Sequence, residues 1–198
     1  MKNTKIHKLV GVALLIAVMV VLQFIGTIFP IKIGPVSISL VLIPIVIGAA
    51  VYGPGAGAIL GAAFGVIANV FCANGLDGGG HMVFQASPIL CILVVMLKGI
   101  CCGLVAGLVY KLFSRWNAYV AMLLAAIVCP IVNTGIFILG CLTFFMDTIR
   151  GWGEAAGFDN AFVFILLGLI GINFIIELLI NVMLSPVVIR LLDIREKK

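Results

Sequence analysis

Lys98, Asn133, Thr134, Asn173 and Glu177 stand inside long apolar runs, and Asn69 and Gln85 lie near the ends of two others. Polar groups at membrane depth are costly and default to functional candidates. An ammonium can hold a carboxylate or phosphate, and an asparagine offers both a donor and an acceptor to a polar solute. At the helical rise, Lys98 falls roughly 16 Å below the outer end of its run. Asn133 and Asn173 fall roughly 18 Å below the ends of theirs, so the three share a layer near the midplane. Thr134 adjoins that layer, and Glu177 lies one turn deeper than Asn173 on the same face. Asn69, Gln85 and Ser87 sit nearer the mouth. Two readings of Lys98 follow. It lines a pocket entered from outside, or it pairs with Glu177 and keeps two helices in register. An unpaired charge at that depth costs about 3 kcal/mol or more. Asp77 and His81, in a glycine-rich stretch, read as solvated loop residues.

The elements that position these groups follow from composition. Of 198 residues, 64% are hydrophobic and 10% charged, with a mean hydropathy of +1.37. A soluble domain carries about 25% charged residues, and long uncharged apolar runs mean membrane spans. The pattern predicts one all-α membrane domain over 1–198, a bundle of six transmembrane helices. They cover Leu9 to Ile28, Ser37 to Tyr52 with a kink at Pro44, Pro54 to Cys72, Ser87 to Phe113, Ala118 to Phe145 with Pro130 inside, and Ala161 to Leu192. The segment 29–36, with Pro30, Gly34 and Pro35, is an apolar loop that folds back over the bundle. Residues 73–83 read as a flexible loop and 146–160 as a polar one.

Gly53, Gly57, Gly61 and Gly65 recur every fourth residue, and Gly99, Gly103 and Gly107 form a second ladder. Such stripes weaken a helix in water, but in a bilayer they let two backbones approach closely. The first ladder is expected at the centre of the bundle. Lys2, Lys5, Lys8, Lys111, Arg115, Arg190, Arg195, Lys197 and Lys198 fall on one side of the six spans, against Lys32 and Arg150 on the other. The positive-inside rule then places both termini in the cytoplasm. The net charge of +5 is accounted for by this distribution and calls for no nucleic acid.

Several chemistries lack their residues. No phosphate-binding Gly-x-x-x-x-Gly-Lys-Ser/Thr loop, His-Glu-x-x-His or Gly-x-Ser-x-Gly occurs. Glu177 stands without a second carboxylate in the bundle, so an enzyme is not expected. The six cysteines form no Cys-x-x-Cys pair and there are two histidines, so neither a metal site nor a cofactor is expected.

Four stretches carry a resemblance. Ala13-Leu-Leu-Ile-Ala17 has two small residues one turn apart. Tyr52-Gly-Pro-Gly-Ala-Gly-Ala-Ile-Leu-Gly-Ala opens the third helix. Pro130-Ile-Val-Asn-Thr-Gly-Ile-Phe lies in the fifth, and Asn173 to Pro186, with Glu177 and Asn181, in the last. Together and in this order they resemble the substrate-binding S components of energy-coupling factor (ECF) transporters, small six-helix proteins of the bacterial cell membrane. The resemblance implies high-affinity capture of a water-soluble vitamin from outside, with the first outer loop closing over it. It also implies docking on a coupling module of one membrane subunit and two ATPases, followed by toppling in the membrane to release the vitamin inside. Ala13 and Ala17 are the docking residues by this likeness, and the small-residue surface would let the protein rotate and dock. Asn133 and Asn173 lie where the family builds its pocket. Lys98, with few aromatics nearby besides Phe84, Phe137 and Phe174, favours an anion such as pantothenate or folate over thiamine. The rival is an autonomous proton-coupled secondary transporter with Glu177 as relay. Inverted repeats would support it, and no self-similarity is found between 1–86 and 87–198.

Overall fold

The computed structural model describes residues 4–28 and 40–196, all of them helical or in short connections. Helix α1 (Thr4–Ile28) is followed by α2 (Leu42–Tyr52), α3 (Pro54–Ala73), α4 (Gly78–Ala86), α5 (Pro88–Phe113), α6 (Ala118–Phe144) and α7 (Met146–Ala155). A short α8 (Ala161–Val163) runs into a π-helical segment, Phe164–Ile170, and then α9 (Gly171–Glu196). Among the described residues, four helices are long and apolar enough to cross a membrane: Lys5–Gly26, Pro54–Ala73, Pro88–Phe113 and Ala118–Phe144. Leu42–Tyr52 and Phe174–Pro186 are shorter apolar helices. The predicted outer loop at 29–36, with Lys32, lies outside the described residues.

Local chemistry sets the helix ends. Gly53 turns the chain between α2 and α3 with φ 89°, a conformation costly for any residue with a Cβ. Its N–H closes α2 on the Ala49 carbonyl, and Pro54 opens α3. Asn117 Oδ1 accepts from Tyr119 N at 2.8 Å and Val120 N at 3.2 Å, capping α6. Asn160 Oδ1 accepts from Phe162 N at 2.8 Å and caps α8.

The two glycine ladders meet each other. A Cβ on Gly61 would strike the Gly99 carbonyl, and one on Gly57 the Gly103 carbonyl; the reverse substitutions fail in the same way. Gly65 faces Met96, and Gly107 faces Pro54. Helices α3 and α5 therefore run antiparallel with their backbones in contact, as small-residue packing in lipid favours. Gly57, Gly61, Gly65, Gly99, Gly103 and Gly107 are all buried between helices, as expected of a ladder at the centre of the bundle.

Four expectations change. The stretch expected as a flexible loop contains α4, because Val83 buries itself in the core and packing overrides the glycine-rich start. The polar loop is largely α7: Ile149 and Gly153 face inward while Asp147, Arg150 and Glu154 are exposed, an amphipathic pattern. Pro44 falls in the first turn of α2, where its missing N–H has no intrahelical partner to lose, so it does not kink the helix. The last helix is not continuous from Ala161, since the π-helical segment ends at Gly171 with φ 39°.

Two apolar clusters stack along the bundle. One joins Val12, Met19, Leu42, Ile45, Leu60, Phe64, Cys102, Met122, Cys129 and Ile189 near the terminal ends. The other joins Val83, Cys91, Val95, Cys141, Phe145, Ile149, Phe164 and Ile165 under α4 and α7. Along α5 and α6, Lys98 and Asn133 fall at the seam between them.

Candidate functional site

At that seam, α5 carries Lys98 between its contributions to the two clusters, Val95 on one side and Cys102 on the other. The Lys98 ammonium lies 4.8 Å from the Phe137 ring centre and 6.0 Å from that of Phe64. An ammonium over aromatic faces is stabilised by the ring quadrupoles, by about 2 kcal/mol where desolvated. Helical side chains tilt toward their own N-terminus, so the ammonium is carried toward the Cys91 end of α5. Gly140 against Val94 sets the register of α6 on α5. That register puts Phe137 near the level of Lys98 and Asn133 about one turn, or 6 Å, deeper. Their common layer is thus a stepped one.

Lys98 is within electrostatic reach of Asp77, Cys91 and Cys141. Glu177 is within reach of Cys129, deeper in the bundle. Among the described residues the ion pair closer than 4 Å is Arg150–Asp147, at 3.8 Å and exposed, a contact worth little. Glu177 accepts a 2.8 Å bond at its backbone carbonyl from Asn181, which is buried.

The asparagines divide. Asn133 is 7% exposed and its Oδ1 has no hydrogen-bond partner. An orphaned acceptor in an apolar site costs about 1–3 kcal/mol. Asn69 donates to the Gly65 carbonyl at 2.8 Å, one turn back on its own helix, and its Oδ1 is likewise buried without a partner. Thr134 is half-buried beside Asn133. Asn173 lies in α9, where its side chain is outside the description. Gln85 is exposed and bonds to His81 Nε2 at 2.9 Å. The His81 Nδ1 lies 2.7 Å from the Cys72 carbonyl, which can only accept, so the proton sits on Nδ1. His81 thereby pins α4 to the end of α3 and is not simply a solvated loop residue.

The sequence reading missed Phe64 and undervalued Asp77. Phe64 reads as one more apolar residue in the glycine ladder. Asp77 carried a signal, a carboxylate between two membrane runs, but its burial depends on α4. Its Oδ1 is buried without a partner and its Oδ2 is 3.9 Å from Cys72 Sγ. Burial pushes the carboxyl up from its ordinary value, opposed first by the Lys98 charge and then by the Gly80 backbone and Cys72 thiol.

A separate open cleft of about 270 Å³ is lined by Met146, Arg150, Glu154, Phe158, Asp159, Asn160 and Ala161. None of the predicted site residues lines it. Among the described residues no cluster of three or more histidine, cysteine or acidic side chains could hold a metal.

The arrangement is a seam of few, spaced polar groups with an aromatic-flanked cation inside a multi-pass helical bundle. Ala13 and Ala17 are exposed on α1, in a row with exposed Val10, Leu14 and Val18. No curated protein matches the chain. The family model for the ECF transporter substrate-specific component matches residues 7–189. The chain, a multi-pass membrane protein, belongs to the ECF transporter substrate-specific components.

Proposed function

We propose that this protein captures a water-soluble vitamin or related micronutrient from outside a bacterial cell and delivers it to an ATP-driven coupling module. The family makes it a substrate-binding transporter component that works with a coupling module and ATPases. The finer reading is six spans, formed by the four long apolar helices together with α2 and the last helix, with both termini cytoplasmic. The nine basic residues on the terminal side support that orientation. Docking engages one membrane subunit and two ATPases through Ala13 and Ala17.

Lys98, Asn133, Thr134, Asn173, Asn69, Gln85 and Glu177 are proposed to line or support the pocket. The observation that carries the reading is Lys98 held between Phe64 and Phe137 at the seam. That cation favours an anionic vitamin, pantothenate or folate, and the two rings suit a ligand with an apolar or planar part.

A thermal-shift screen of the purified protein in detergent against water-soluble vitamins tests this. A ligand at a hundred times its dissociation constant stabilises the folded state by about 2.7 kcal/mol. A shift with pantothenate or folate that Lys98→Ala abolishes is expected. A shift with only cationic or neutral vitamins would overturn the anion preference. Uptake that persists without any ATPase partner would favour proton-coupled transport instead.

A further inference from the structure

Between Asp77 and Asp147 the chain carries no carboxylate, yet it carries Lys98, Lys111 and Arg115. The last two frame the turn between α5 and α6, and both are exposed. Among the described residues no carboxylate lies within 4 Å of either. The turn is closed by its own backbone. Ser114 N donates to the Tyr110 carbonyl at 2.8 Å, and Trp116 N and Asn117 N donate to that of Phe113 at 3.0 and 3.1 Å. The Trp116 ring stands edge-on to Phe113, with 5.7 Å between centres, which orients an indole that is 84% exposed.

The helix surface leading to the turn is apolar and regular. Leu104, Leu108 and Leu112 recur every fourth residue and form one row on α5, and Trp116 follows at the same step. Exposure along the row rises from 37% at Leu104 to 67% at Leu112. Helix α5 has 26 residues and α6 has 27, about 40 Å each at the helical rise, against a hydrocarbon core of about 30 Å. The row therefore lies against acyl chains, and the turn reaches the headgroup layer. Lysine and arginine stems cover apolar surface there while their charged heads stay in the polar layer. An exposed indole suits the same boundary.

We propose that this turn is a binding seat for one anionic phospholipid. Lys111 and Arg115 hold the headgroup phosphate, Trp116 lies at the glycerol level, and the acyl chains run along the leucine row. Two cations without a neighbouring carboxylate complement an anionic headgroup and leave the ammonium of a zwitterionic one unmatched. A soluble protein partner would use the charges but not the leucine row. The seat depends on depth and charge, so it stands apart from the substrate pocket and from which side of the membrane holds the termini.

The test is fluorescence quenching in vesicles, in a Trp152→Phe background that leaves Trp116 as the one tryptophan. Phosphatidylglycerol brominated on its acyl chains should quench Trp116 at a lower mole fraction than brominated phosphatidylcholine, by up to about thirtyfold for two cations at an anionic headgroup. Lys111→Gln with Arg115→Gln should bring the two lipids together, and high salt should narrow the gap. Equal quenching by both lipids before the double substitution, or a preference that survives it, would overturn the seat. Should Trp152→Phe fail to fold, the difference in quenching between wild type and Trp116→Phe isolates the same signal. Inorganic phosphate should compete no better than chloride at matched ionic strength; stronger competition would assign the cations to a free anion and overturn the lipid seat. Loss of coupling-subunit capture by the double variant, with no lipid preference in the parent, would assign the turn to a protein partner and overturn it too.

Discussion

Gly61 and Gly99 pass with their backbones in contact, each occupying the space a Cβ on the other helix would need. That contact, repeated by Gly57 with Gly103, fixes how far α3 slides along α5. It thereby decides that Phe64 and Lys98 face the same seam.

Gly61→Ile or Gly99→Ile should push the helices apart and lower the thermal midpoint sharply. Overpacking of this kind costs about 1–3 kcal/mol or more. Gly55 is the control: it is exposed, and nothing stands within 4 Å of a Cβ placed there. Gly55→Ala should leave stability unchanged or raise it by up to about 1 kcal/mol through helix propensity. Unfolding in detergent reads both.

Phe137→Leu keeps an apolar side chain but removes the nearer ring from Lys98. A loss of about 1–2 kcal/mol in stability is expected, from the cation–π contact and the lost ring volume. Phe137→Tyr should be close to neutral. Equal stability of the Leu and Tyr variants would show that the ring face does not support the cation.

Asn133→Leu separates a ligand role from a structural one. Its Oδ1 has no partner in the bundle, so removing the amide should cost little stability or raise it. Vitamin binding, measured by calorimetry, should weaken at least tenfold if the ligand satisfies that oxygen. Loss of stability with unchanged affinity would assign Asn133 to packing alone.

Asp77 predicts a direction for pH dependence. Burial raises its folded-state value above the ordinary 3.8, so the folded protein holds this proton more tightly than the unfolded chain. Its contribution is therefore greatest at low pH and declines as pH rises above the ordinary carboxylate range. Asp77→Asn should remove that decline from the unfolding profile while the rest of the curve keeps its shape. A profile unchanged by the substitution would contradict the buried carboxyl.

Ala13→Trp with Ala17→Trp should leave binding of the proposed vitamin intact, because both positions are exposed on α1. Co-purification with the coupling subunit should fall. Retained complex formation would exclude this face as the docking surface.

The sequence by itself determined the membrane class, most of the long spans and both glycine ladders. Each depends on hydropathy and helical period, which are read residue by residue along one element. It also carried enough ordered motif for the family resemblance. Only the tertiary structure decided what the Lys98 charge meets. Depth alone sets Lys98 beside Glu177, but only the packing of α5 against α3 and α6 places the Lys98 ammonium over Phe64 and Phe137. The short α4 and α7 were hidden because their glycines and charges argue for loops. Burial of Val83 and Ile149 against other elements outweighs that local preference. Partner choice in this bundle follows from helix register and rotation, which close glycine contacts set and no single helix contains.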